Sequence, residues 1–274
     1  MMNYTRYCLL AWAMLSGCSA PEEPTSSYPQ NAAISSPAGV AGDSVVSYFP
    51  ASASVNTSPD SLMRQFGDCE NEFHYASEEL ASFKAPVLYT YYPGHAIYRF
   101  LWSRSFNRPV LLTLALSEAG GVLRTQLLSR NLMFKTPSLA EEQQTLKHIA
   151  EAESLAQAEK EEARRAMFLN DAKRIRKDLD FTKLPLEILE AKPVALSKAQ
   201  VQQFRELLTL AHFWQISSCE PTHLMDGSSW VLEAHEPNQY KVVFRQSPRN
   251  EQAPFRRCCE FLLNLSKART EERY

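Results

Sequence analysis

Glycine is scarce in this chain, 8 residues in 274. None of the spacings G-x-G-x-x-G, G-x-x-x-x-G-K-[ST] or G-x-S-x-G occurs. The glycine-rich turns that cradle phosphates, and the turn that presents a hydrolase serine, therefore leave no signal here. Positive charge is not in excess either. Lys and Arg number 29 against 31 Asp and Glu, a formal charge of −2. That balance offers nothing to hold a polyanion, so no nucleic-acid partner is expected. Beyond the N-terminus, the longest charge-free apolar run of note, Pro109 to Ser117, is strand-sized and far short of the ~20 residues that span a bilayer. Paired histidines of the H-E-x-x-H type are missing. A zinc set from Cys219, His223, Cys258 and Cys259 has only one weak half-site. No metal and no cofactor is expected. What remains is ordinary globular material, 45% hydrophobic and 11% aromatic, long enough for one or two domains with a real core.

The N-terminus carries the first positive signal. Arg6 precedes the short apolar stretch Tyr7–Leu15, and small residues follow, Ser16-Gly17-Cys18-Ser19-Ala20. This is the three-part pattern of an export signal over residues 1–17. Leu15-Ser16-Gly17-Cys18 resembles the lipobox of bacterial lipoproteins. The resemblance implies cleavage before Cys18, a diacylglyceryl group on its thiol and an acyl group on the new amine. Two or more chains anchor stably where one is marginal, because each buried methylene contributes ~0.8 kcal/mol. Ser19 rather than Asp after the cysteine implies outer-membrane sorting, with the protein facing the periplasm.

Residues 19–60 contain no Lys or Arg and are punctuated by Pro21, Pro24, Pro29, Pro37, Pro50 and Pro59. Without apolar periodicity the stretch lacks the burial that offsets ordering entropy, so residues 18–60 read as lipidated cysteine plus flexible tether. Its root-mean-square reach is roughly 35–40 Å. A docked edge strand through Val45–Phe49 is the alternative.

Residues 61–274 read as a single α+β domain: an antiparallel sheet, two packed helices and a long charged helical insertion. Strand patterns run through Val87–Tyr92, His95–Trp102, Val110–Leu116 and Val122–Leu128. In the second of these Tyr98, Phe100 and Trp102 share one face and Arg99 the other. Residues 138–180 hold no Gly or Pro and 18 charged positions, acidic first and basic later. This order suits a helix dipole, and one unbroken helix would reach roughly 65 Å. The insertion is either a solvated projection or a coiled-coil or docking arm. Leu184–Leu189 is a candidate strand. Ser197-Lys198-Ala199-Gln200 has the form of a capping box opening a helix with Val201, Phe204 and Leu208 on one face. Pro254 starts a last helix that places Phe255, Cys258, Cys259, Leu262 and Leu265 at helical spacing.

Between these helices, Ser228–His235 and Tyr240–Pro248 pattern as a hairpin. Alternation favours a three-residue loop, Pro237-Asn238-Gln239, with Trp230, Leu232 and Ala234 facing the same way as Tyr240, Val242 and Phe244. The other face then carries Glu233, His235, Lys241 and Arg245, either a polar surface site or a solvated sheet face. Asp226-Gly227, Trp230, Leu232-Glu233, Tyr240, Arg245 and Ser247-Pro248 resemble a block of uncharacterised bacterial proteins. Tyr98–Trp102 with Arg108-Pro109-Val110 resembles its upstream partner. That likeness implies architecture and carries no activity.

An exported chain meets an oxidising compartment, so Cys69, Cys219, Cys258 and Cys259 are candidates for disulfides. Cys258 and Cys259 diverge by ~100° on a helix and should not pair with each other. With no catalytic constellation, the chain reads as a lipid-anchored envelope protein that binds another macromolecule or scaffolds it, with a protein partner and no enzyme activity. A periplasmic inhibitor or immunity lipoprotein and an envelope hydrolase are the alternatives.

Overall fold

The computed structural model describes residues 31–42, 47–50, 70–132, 137–220, 227–248 and 253–273. The candidate signal, its lipobox and Cys18 lie outside these residues. Six strands form one antiparallel sheet: β1 (Ile97–Arg104), β2 (Val110–Ser117), β3 (Gly120–Leu128), β4 (Ile188–Leu196), β5 (Ser228–Glu236) and β6 (Gln239–Gln246). Their order across the sheet is β4-β3-β2-β1-β5-β6. Five helices accompany it: α1 (Glu70–Ser82), α2 (Leu139–Ala158), α3 (Glu162–Lys183), α4 (Lys198–Leu210) and α5 (Pro254–Leu265). The fold is α+β, as its alternating sequence implies.

Each face of the sheet has its own core. On one, Tyr98, Phe100, Trp102, Leu112, Leu114, Trp230 and Leu232 pack against Val201, Phe204 and Leu208 of α4 and Phe255, Cys258, Cys259 and Leu262 of α5. These are the two packed helices of the sequence, and the capping box at Ser197 forms, with Gln200 N donating to Ser197 Oγ at 3.2 Å. On the other face, Ile97, Leu101, Leu111, Val231, Tyr240, Val242 and Phe244 are covered by α1, through Phe73, Ala76 and Leu80, and by the following segment Phe83–Tyr89. A strand buried on both faces reads as a near-continuous apolar run, as β2 does; β1 is interrupted by the buried Arg99 and Arg104.

This second layer departs from the sequence expectation. Helix α1 has Phe73 and Leu80 as its large inward residues, with Ala76 and Ser77 between them, a weak periodic signal. Val87–Tyr92 does not join the sheet; it makes a 3-10 turn over Leu88–Thr90 and crosses the sheet face. Part of the 18–60 stretch also packs. Tyr48 and Phe49 are buried in this core, and Tyr48 N donates to Ser77 Oγ at 3.0 Å. Residues 43–46 and 51–60 lie outside the described residues.

The insertion is two helices rather than one. α2 stops at Ala158 and α3 begins at Glu162, and the two fold back on each other as an antiparallel hairpin. Ser138 caps α2 through a reciprocal box with Glu141. Ile149, Ala172 and Leu179 form a small core of the hairpin's own. At its base Arg130 donates to the carbonyls of Phe181, Thr182 and Leu184, closing the C-terminal end of α3 onto the body. The return strand β4 starts at Ile188, later than Leu184, and lies at the sheet edge with Pro193 inside it. An edge strand tolerates the missing N–H there.

Candidate functional site

The β5–β6 hairpin carries the four charged or titratable residues expected on one face, Glu233, His235, Lys241 and Arg245. β5 and β6 pair Glu236 with Gln239, so the loop holds two residues, Pro237 and Asn238, and the register differs by one from that expected. The alternation did not decide it because β6 is apolar in both phases: Val242 and Val243 are both fully buried, on opposite faces. The shift splits the expected set. Glu233 and His235 lie with Tyr240, Val242 and Phe244 under the α1 layer; Lys241 and Arg245 lie on the α4/α5 face.

Glu233 and His235 are therefore not at a surface: they are 1% and 0% exposed. Directly opposite Glu233 in the neighbouring strand β1 stands Arg99, itself 2% exposed. Arg99 Nε donates to Glu233 Oε2 at 2.7 Å, and Nη2 pairs with the same oxygen. The other carboxylate oxygen accepts from Tyr240 Oη at 2.6 Å. Arg99 Nη1 reaches out of the sheet to the carbonyl of Pro86 at 2.6 Å. Two residues along β5, His235 Nδ1 lies 2.6 Å from Leu88 O and 3.1 Å from Tyr91 O. Only a protonated Nδ1 donates to these acceptors, which fixes the tautomer in the neutral ring. The crossing segment 83–92 has few ladder partners of its own, and this network supplies its backbone acceptors with donors.

Burial dominates the electrostatics. It pushes the Glu233 carboxyl up, while Arg99 and Tyr240 pull it back. It pushes His235 down, keeping the imidazole neutral, against the two carbonyls that favour the cation. Tyr89, under the same layer, is pushed up to about 12 by burial and by the Glu233 charge. A second carboxyl stands apart on α1. Glu79 bonds to Ser103 Oγ on β1, and burial raises it from its ordinary 4.5 to about 7.

Across the sheet, Lys241 is buried, and burial and the Arg245 charge lower its ammonium. Arg245 is occupied: it pairs with Glu220 at 3.0 Å and lies over the Phe255 ring. Each of these groups is either enclosed or already paired. The Arg99–Glu233–Tyr240–His235 cluster consequently acts as an internal clamp. It has the acid, base and hydroxyl types of a catalytic site, but its polar atoms are spent on one another and on backbone.

Two features of the turn residues explain themselves beside this clamp. Gly227 has φ +132°, and a Cβ there would fall on Ser247 Oγ. Ser247 Oγ accepts from Ser228 N at 2.9 Å, and Ser247 N donates to Ser228 O at 2.6 Å. Gly227 and Ser247 together close the open end of the hairpin.

The cysteines separate cleanly. Cys219 is disulfide-bonded, and Cys69 lies outside the described residues. Cys258 and Cys259 are free and buried on α5, and burial pushes the Cys258 thiol up to about 12. These two are inert core thiols. Among the described residues no three His, Cys, Asp or Glu side chains group as metal ligands, and no helix is long and apolar enough to cross a membrane. His223 lies outside the described residues.

Arg99 and Tyr240, the partners that give Glu233 its role, stand in the sequence only as an off-face arginine and a core-pattern tyrosine. Glu79 and Ser103 carry no sequence signal at all. Comparison with family models, with curated proteins and with solved structures returned no match.

The exposed chemistry is on the arm. Leu139, Leu146, Leu155, Met167, Leu169 and Phe181 are all exposed on α2 and α3. Two helices that share only a thin seam leave these large apolar side chains in water.

Proposed function

We propose that this chain is a lipid-anchored protein of the bacterial cell envelope, held to the outer membrane through Cys18. It faces the periplasm and binds or scaffolds another macromolecule without catalysing a reaction. The observation that carries the binding role is the arm: a helical hairpin whose apolar residues outside its seam are unburied. The disulfide at Cys219 fits an oxidising compartment, in keeping with export. The lipobox-like Leu15-Ser16-Gly17-Cys18 supplies the anchor, and the lipid chains bring the body to a surface where a projecting hairpin meets partners.

Intact mass of the membrane-extracted protein tests the anchor. The expected species begins at Cys18 and carries acyl chains. Alkylation after unfolding without reduction should mark Cys258 and Cys259, and reduction should add two more thiols, that of Cys219 and that of its disulfide partner. A full-length, unacylated mass removes the anchor and the compartment together. Deleting residues 139–180 tests the arm. The sheet and α4/α5 core should keep their cooperative unfolding while co-purifying partners are lost; an unchanged partner set with an intact fold ends the docking role.

A further inference from the structure

Cys219 is one half of a disulfide, and the fold narrows the choice of its other half. The chain has six cysteines, Cys8, Cys18, Cys69, Cys219, Cys258 and Cys259. Cys258 and Cys259 are free thiols in the core on the α4/α5 side of the sheet. Cys219 is buried in the other core, under α1, so the sheet stands between it and them. Of the remaining three, Cys8 falls in the candidate export signal. Cys18 is the lipid-bearing residue of the anchor, and its sulfur is a thioether once acylated. That reading leaves Cys69.

The packing beside Cys219 points the same way. Cys219 forms a parallel bridge to Phe244 at the outer edge of β6, and Phe244 N donates to Ser218 O at 2.7 Å. Phe244 in turn meets Phe73 of α1, with ring centroids 6.0 Å apart. Phe73 lies in the first turn of α1, which begins at Glu70, the residue that follows Cys69 in the chain. The start of α1 and Cys219 therefore converge on one aromatic residue at the sheet edge. A disulfide requires Cα atoms about 4.4–6.8 Å apart, so convergence of this kind is its precondition.

We propose that Cys69 and Cys219 form this disulfide, which fastens the start of α1 to the β6 edge. The exclusion of Cys8 and Cys18 rests on the export and anchor argued above; the packing argument does not. Forming the bond takes one hydrogen from each thiol. Two electrons and two protons pass to a disulfide donor of the oxidising compartment, whose own S–S bond becomes two thiols. The bond supplies what α1 lacks. The helix has only Phe73 and Leu80 as large inward residues, and toward its C-terminal end Glu79 ties it to Ser103 of β1. With the disulfide, the layer over Glu233 and His235 is fastened at both ends. A reductant releases one end and leaves the α4/α5 side as it was.

The test maps peptides of the full, membrane-extracted chain after unfolding, alkylation without reduction and cleavage with trypsin. Cleavage after Lys and Arg puts Cys69 in 65–84, Cys219 in 206–241, Cys258 with Cys259 in 258–267, and Cys8 and Cys18 upstream of residue 65. The expected species is 65–84 linked to 206–241, separating on reduction. Cys69→Ser, Cys219→Ser and the double variant should lower the melting temperature by the same amount, on the order of 10 °C, because each removes the same bond. The amides of α1 should then exchange faster while those of α5 do not change. A link from 206–241 to a peptide upstream of residue 65 overturns the pairing and the anchor together. With Cys18 acylated, a 206–241 peptide that is unlinked, linked to 258–267 or linked to a second copy of itself overturns the pairing alone. The expected link beside an unacylated Cys18 removes the anchor and keeps the pairing. A Cys69→Ser variant that melts with the parent overturns the pairing; one too unstable to melt leaves the decision to the peptide map of the parent.

Discussion

Arg99→Met is expected to destabilise the fold by about 3–5 kcal/mol, the cost of leaving one member of a buried ion pair without the other. The reason lies in what Glu233 loses. Arg99 donates one bond from Nε to one of its carboxylate oxygens and sets Nη2 in ion-pair contact with the same atom, and nothing else charged reaches that oxygen in the described structure. Tyr240 stays on the other oxygen but supplies a neutral donor. The same substitution frees the Pro86 carbonyl, so the crossing segment should exchange its amides faster than α4 or α5. Removing both charges gives a different outcome. In Arg99→Met with Glu233→Leu the desolvation cost disappears with the pair, and most of the lost stability should return. Urea unfolding of the two single variants and the double completes the cycle. A loss under about 1 kcal/mol for Arg99→Met would show that the pair is not the clamp described.

This pair also marks how far the sequence could be read. The stretches Tyr98–Trp102 and Trp230–Tyr240 stand out as separate patterns, more than a hundred residues apart. Nothing in either says that they are neighbouring strands with Arg99 opposite Glu233. Strand order is set by long-range packing, which local alternation does not encode. The face that each strand turns to its core was legible where one face is much more apolar, as in β5, and illegible in β6, where both are buried. Read without its second layer, Glu233 is a solvated surface residue; that layer comes from α1 and the crossing segment, whose own patterns are weak. The insertion shows the opposite balance. Its helical character was plain from composition, yet its break at residues 159–161 has no glycine or proline to announce it. Two helices fold back there because each then covers the other's few apolar residues, a gain that no local rule contains.

Glu79 should give the protein a stability that declines as pH rises toward neutrality, and Glu79→Gln should abolish that decline. Its folded value, about 7, lies above the ordinary 4.5 because burial against β1 disfavours the carboxylate. Below pH 4.5 the group is protonated in both states and carries no penalty. Between 4.5 and 7 the unfolded chain releases the proton and the folded one retains it, so stability falls with each step upward. Above 7 the full penalty applies, about 2–3 kcal/mol once the half-buried side chain's contact with solvent is allowed for. Glutamine keeps a partner for Ser103 and never ionises. The variant should therefore match the parent near pH 4.5 and exceed it in melting temperature above pH 7. His235 works in the reverse sense. Burial lowers it, so its contribution is whole above pH 6.5 and is lost as the pH falls further. The parent should for that reason show a stability maximum on the acid side of neutrality, and Glu79→Gln should flatten only its alkaline limb. Parallel melting curves for parent and variant from pH 4.5 to 8 would mean that the Glu79 carboxyl is open to water. α1 would then not be sealed onto β1 at Ser103.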